Sequence, residues 1–149
     1  MEIYLGSDHR GFKLKEALKN WLKDLEIPTN DLGAFQINPE DDYPEIAKKV
    51  GVKVAGEKSS RGILICGSGV GVDIAVNKID GIRASLGKEP DQVAAGRRDD
   101  DMNVLVLASD FTTDIEAKEM VQVFLETEFS AKERFVRRLS EINKLEKNN

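Results

Sequence analysis

Gly62-Ile63-Leu64-Ile65-Cys66-Gly67-Ser68-Gly69-Val70-Gly71-Val72 is the stretch from which the architecture is read. Its apolar run, 63–65, suits a strand covered on both faces, and the glycine-rich turn after it leads into a helical pattern. Strand, turn and helix in that order open a parallel α/β unit. Glycines at alternate positions let successive backbone N–H groups approach an anion, and the helix N-terminus adds its positive dipole end. The spacing departs from a P-loop, because no Gly-Lys-Ser/Thr follows, and from the full dinucleotide fingerprint, because the third glycine is Gly71. A turn of this kind also serves as a plain connection, so its chemistry depends on its neighbours.

Outward from this unit, short apolar runs alternate with amphipathic stretches along the whole chain. Strands are predicted at 2–6, 28–32, 62–66, 82–86 and 103–108, and the third and fifth are apolar enough to be central. Helices are predicted at 11–25, 43–55, from about 68–71 to 78, at 91–97 and at 113–126. A final basic helix should run to 144, capped by Ser130. In the first helix Phe12, Leu14, Leu18, Trp21, Leu22 and Leu25 form the apolar face, leaving Lys13, Lys15, Lys19 and Lys23 for water. Pro44 in the first turn after Asp41-Asp42 marks the start of the second. The Lys147-Asn148-Asn149 tail should fray. The pattern is that of one α/β domain over 1–149, with a five-stranded parallel sheet, helices on both faces and a C-terminal helix. Such a sheet binds ligands outside the carboxyl ends of its strands, near a switch in strand order.

The 149 residues are 40% hydrophobic and 33% charged, the balance of a globular protein rather than a disordered one. A net charge of −5 argues against a general nucleic-acid binder. Nothing approaches the roughly 20 apolar residues that cross a bilayer, so no membrane partner is expected. One cysteine allows no intrachain disulfide and the chain opens on a strand-like run, which reads as a cytoplasmic protein.

Three groups could carry chemistry. Cys66 ends the central strand, where a helix N-terminus favours the thiolate and makes it a candidate base, although a lone cysteine is often a small buried apolar residue. Gly6-Ser7-Asp8-His9-Arg10-Gly11 closes the first strand at the same sheet edge and holds the only histidine. Arg134, Arg137 and Arg138 lie on the last helix; Arg134 and Arg138 are four apart and share a face, a device for gripping a phosphate or simply a solvated one.

Taken in order, Ser7-Asp8-His9-Arg10-Gly11-Phe12-Lys13-Leu14-Lys15, Asp42-Tyr43-Pro44, the 62–71 stretch, Ala75-Val76-Asn77-Lys78, Gly81-Ile82-Arg83-Ala84, Glu89-Pro90 and Asn103-Val104-Leu105 resemble the ribose-5-phosphate isomerase B and galactose-6-phosphate isomerase family over nearly the whole chain. The resemblance implies a Rossmann-like three-layer α/β/α sandwich that interconverts an aldose and ketose phosphate without cofactor or metal. It also implies a homodimer or homotetramer with shared active sites. On it, Cys66 matches the catalytic base and Ser68 an assisting hydroxyl. The backbone of Gly67, Gly69, Val70 and Gly71 matches the anion hole for an enediolate. Asp8 matches a sugar-hydroxyl ligand, His9 a phosphate ligand, Tyr43 a pocket residue, and Arg134 and Arg138 phosphate ligands reaching into the partner's site; Asn103 also matches.

The sequence departs from the family where a ring-opening histidine and an asparagine are replaced by Asp99 and Asp100, beside Arg97 and Arg98. Asp99 is the acid–base candidate there and Asp100 a sugar-binding one. Ala34 and Asp73 are further departures. Ribose 5-phosphate and ribulose 5-phosphate are the default pair. Alternatives are a hexose 6-phosphate isomerase, or a sugar-phosphate-binding protein or subunit with impaired ring opening.

Overall fold

The computed structural model describes residues 1–147. Along it run β1 (Ile3–Ser7), α1 (Phe12–Asp24), β2 (Thr29–Asp31), α2 (Tyr43–Gly56), β3 (Arg61–Cys66), α3 (Val70–Val76), β4 (Ala84–Leu86), α4 (Pro90–Asp100), β5 (Val104–Ala108), α5 (Asp114–Glu126) and α6 (Glu133–Lys147). The strands form one sheet in the order β2-β1-β3-β5-β4, with every neighbouring pair parallel. Helices cover both faces, giving the Rossmann-like three-layer α/β/α sandwich.

Alternation along β3 divides the core. Ile63 and Ile65 pack with Leu14, Leu18, Val93 and Phe124 on the α1, α4 and α5 side, whereas Leu64 and Cys66 pack with Ile46, Val50, Val72 and Val76 of α2 and α3. β1, β3 and β5 are buried throughout, as their apolar runs require. The edge strands β2 and β4 keep three residues each, fewer than the five expected, because each has a neighbour on one side only. Thr113 begins α5 with a capping box: its Oγ1 accepts from the Glu116 N–H, and the Glu116 carboxylate accepts from the Thr113 N–H at 2.8 Å.

Several local expectations need correction. Lys15 does not face water; it is fully buried, with Nζ 2.6 Å from Asp31, because α1 lies against β2 and the Asp31 carboxylate replaces the solvent. Leu25 lies past the end of α1 and is half exposed. Ser130 does not cap α6, which starts at Glu133; the Ser130 N–H instead donates to the Arg98 carbonyl, tying this segment to α4. Lys147 is still helical rather than frayed, and the rest of the tail lies outside the described residues.

β1 and β3 are neighbours whose following helices leave toward opposite faces, α1 to one and α3 to the other. That divergence opens the crevice in which parallel α/β sheets place their ligands.

Candidate active site

The carboxyl ends of β1 and β3 bring the first two candidate groups together. The register pairs Ser7 with Ile65, and the Asp8 N–H donates to the Ile65 carbonyl at 3.2 Å, so Asp8 and Cys66 emerge side by side at adjacent strand ends. Cys66 is 4% exposed, on the sheet face that carries α2 and α3. Directly after it Gly69 has φ +76, in the left-handed region, and serves as the N-cap of α3. A β-carbon at Gly69 would also stand 2.4 Å from Leu86 Cδ1. A glycine is thus required in the turn that follows Cys66, in which Ser68 is exposed.

Two side chains close around this turn. The Tyr43 ring, at the first residue of α2, lies against Gly71, where a β-carbon would come within 2.8–3.2 Å of its ring atoms. The Arg10 guanidinium lies across Gly67 and pairs with Asp110 just beyond β5. The Ser109 hydroxyl donates to the Cys66 and Arg10 carbonyls at 3.2 and 3.1 Å, stitching the two strand ends together. Asp110 and Ser109 were missed in the sequence because only the β3–β5 pairing brings them here. Their position at the end of an apolar strand was the one available signal.

His9 Nδ1 lies 2.6 Å from Asp41 Oδ1, while Asp8 Oδ1 accepts from the Gly11 N–H at 2.9 Å. Asp41 fixes the imidazole and leaves Nε2 as the ring nitrogen free to meet a ligand. Asp41 Oδ2 is buried and has no protein partner. Donor atoms of Asp8, His9 and Asp41 lie within 4.8 Å of one another, a grouping that could hold a cation, although His9 Nδ1 and Asp8 Oδ1 are already engaged. Asp73, in the first turn of α3, accepts from Asn77 Nδ2 at 2.9 Å. Burial pushes its carboxyl above the usual range, outweighing the Leu86 and Asn77 hydrogen bonds that pull it down.

The remaining candidates lie at the opposite edge of the sheet. α4 runs back from the carboxyl end of β4, and its 11 residues span about 16 Å, which sets Asp99 and Asp100 at the amino ends of the strands. Asp99 Oδ1 accepts from Arg98 Nε at 2.9 Å. Asn103 precedes β5 with its amide committed to the turn before β4: Oδ1 accepts from the Arg83 N–H and Nδ2 donates to the Gly81 carbonyl, both at 2.8 Å. α6 is tied to this edge at both ends, through the Ser130–Arg98 bond and through Glu146, which accepts from the Gly81 N–H. Arg134 and Arg138 flank the buried Phe135, with guanidinium carbons 4.7 and 5.9 Å from its ring centroid. Within one chain, therefore, Asp8, His9, Tyr43, Cys66, Ser68 and the 67–71 backbone share one edge, and Asp99, Asp100, Asn103, Arg134 and Arg138 share the other.

Known proteins resemble the chain over most of their length. The chain is 40% identical over 146 residues to the probable ribose-5-phosphate isomerase B of Mycoplasma genitalium, covering 97% of this chain and 95% of that one. It is also 40% identical over 127 residues to the probable ribose-5-phosphate isomerase B of Mycoplasma pneumoniae, covering 85% and 84%. Its structure is similar to the crystal structure of the Mycoplasma genitalium ribose-5-phosphate isomerase B with bound ribulose 5-phosphate, with a TM-score of 0.94 at 39% identity, over 99% of this chain and 97% of that one. The Thermotoga maritima ribose 5-phosphate isomerase matches with a TM-score of 0.91 at 37% identity, over 96% and 97%. The model of the ribose/galactose isomerase family spans residues 3–142, which takes in both strand-end loops, the glycine turn and the arginines of α6, and the chain belongs to that family.

Proposed function

We propose that this chain is an aldose–ketose isomerase, one domain over its 149 residues, that interconverts ribose 5-phosphate and ribulose 5-phosphate with Cys66 as the base. The observation that carries the reading is the convergence of Cys66, the left-handed glycine turn and the Asp8-His9 loop at the β1/β3 crevice. The relative bound to ribulose 5-phosphate supports the substrate pair.

In the proposed reaction the Cys66 thiolate takes the proton from C2 of the open-chain aldose. The C–H electron pair becomes the C1–C2 double bond, and the carbonyl pair moves to O1. The N–H groups of 67–71 hold that enediolate charge, with Ser68 beside them. The thiol then returns the proton to C1 while the O2 proton passes to O1 and the O2–H electron pair forms the C2 carbonyl, producing the ketose; no redox partner is consumed. Asp8 binds a sugar hydroxyl, His9 binds phosphate through Nε2, and Tyr43 walls the pocket.

The candidates at the other edge enter from a second copy: the partner's own set of these groups stands over the crevice, Arg134 and Arg138 gripping phosphate and Asp99 and Asp100 approaching the sugar. Supporting this, Val70, Ile74 and Phe111 leave 50%, 59% and 80% of their surface exposed around the crevice, more apolar surface than a lone mouth would keep in water. No described helix is long and apolar enough to cross a membrane, and the proposed setting is the cytoplasm.

Hydrogen exchange at C2 in heavy water tests the reading. The wild type should exchange and isomerise, and Cys66→Ala should lose both by about 10²–10⁴-fold while still binding the phosphosugar. Undiminished exchange in Cys66→Ala would remove the thiol from the mechanism. The Asp99–Arg98 pair favours a second reading, weakened ring opening, under which an open-chain ketose would turn over faster than a cyclic aldose.

A further inference from the structure

At the amino edge of the sheet, away from Cys66, a cavity of about 620 Å³ is lined by Lys58, Arg61, Arg83 and Arg97, with Asp101 and Glu128 the carboxylates among its walls. Of the candidates at that edge only Asn103, its amide committed to Arg83 and Gly81, lines it; Asp99, Asp100, Arg134 and Arg138 do not. The cations do not balance. Asp101 is spent on Arg97 and Arg83, at 2.9 and 2.8 Å, and neither Lys58 nor Arg61 has a carboxylate within ion-pair distance among the described residues. Arg61 and Arg97 are 7% and 4% exposed, a costly position for guanidinium groups in excess of their counter-charges.

Beyond the Asp101 contact to Arg97, what fixes the two arginines is the end of α5. Both guanidinium groups stack on Phe124, at 5.4 and 5.9 Å from its centroid, and both donate to the Thr127 carbonyl at 3.3 Å. Arg61 also donates to the Phe124 carbonyl, and Arg97 to the Met102 carbonyl. The carbonyls at that helix terminus hold the cations in place. Among the described residues Arg61 Nε and Arg97 Nη2 have no protein partner and neither is sealed from solvent, and both residues line the cavity. Burial, and next the charge of Arg97, push the Arg61 guanidinium down to about 10, and the nearby Glu128 and Asp101 carboxylates offset only part of that.

We infer that this cavity is a second anion site, built for a phosphate group, with the free N–H donors of Arg61 and Arg97 at its floor and Lys58 at its rim. Planar guanidinium groups already locked by stacking lose little freedom when they grip a tetrahedral oxyanion. The site does not rest on the catalytic reading and would remain if the chain bound no pentose.

The test is a titration with inorganic phosphate, followed through the arginine Nε–Hε cross-peaks of the full chain. The Arg61 and Arg97 peaks should move saturably around 1 mM, the range of a weak but specific anion site. Lys58→Glu, an exposed position outside the catalytic groups, should weaken that response about fivefold or more by reversing the rim charge. Arg138→Ala should leave it unchanged. Peaks that stay still, or that respond equally in Lys58→Glu, would overturn the proposal. A response lost in Arg138→Ala would do so as well, because the phosphate would then be reporting the sugar-phosphate grip.

Discussion

Asp41 shows how one side chain without an evident motif sets the behaviour of another. Its 2.6 Å contact with Nδ1 fixes the face that His9 offers to a ligand. Replacing it with Asn removes the charge but keeps the shape, so under the proposed reading Asp41→Asn should raise KM for ribose 5-phosphate about fivefold to tenfold with a smaller change in kcat. A fall confined to kcat in steady-state assays would instead place His9 in proton transfer. At Gly69 the constraint is conformational: a side chain must adopt φ +76 and displace Leu86, so Gly69→Ala should lower stability by about 1–3 kcal/mol in a denaturant melt. The same variant should lose activity even where it remains folded, because the N–H groups of 67–71 would no longer converge.

Between elements, the Lys15–Asp31 contact fastens α1 to β2. Burial alone would raise the Asp31 carboxyl, but Lys15, the Gly33 N–H and Lys19 outweigh it and hold it below the ordinary 3.8. A carboxyl depressed in the folded state contributes stability above its unfolded pKa and loses it as the pH falls through the folded value. Acid unfolding should accordingly steepen below about pH 4 in the wild type. Asp31→Asn should flatten that limb and, by leaving buried Lys15 with only the partly exposed Glu16 carboxylate 3.1 Å away as counter-ion, cost up to about 3 kcal/mol at neutral pH in urea melts. These elements also mark where sequence patterning succeeds and where it fails. The continuous apolar runs that identified β3 and β5 hold because both faces of those strands are covered, whereas the helical period of α1 assigned Lys15 to water because periodicity carries no information about a carboxylate on a neighbouring strand.

For the whole molecule, the sheet separates the candidate groups, and the proposed assembly reunites them across two copies. Two inactive variants, Cys66→Ala and the double variant Arg134→Ala/Arg138→Ala, damage opposite ends of each shared site. Mixed in equal amounts and allowed to exchange, they should regain about a quarter of wild-type activity, since half the dimers are mixed and each has one intact site. No regained activity, despite exchange confirmed by native mass spectrometry, would mean that each chain completes its own site. Ile74→Glu, which places a charge on the exposed apolar rim, should shift the protein to monomers in size-exclusion chromatography and abolish turnover with them.

The order of apolar runs and turn residues was enough to establish a five-stranded parallel sheet with helices on both faces, the strand-end position of Cys66 and the need for glycine after it, because backbone periodicity and left-handed φ are local demands. The match of spaced segments was enough to indicate the family. Tertiary structure alone decided that Asp41 meets His9, that Ser109 and Asp110 join the crevice, that Lys15 is interior, and that Asp99 and Arg138 stand at the far edge from the thiol. Each of those is a contact or a separation between residues far apart in the chain, set by strand order and the path of the helices, and no pattern of neighbouring residues encodes it.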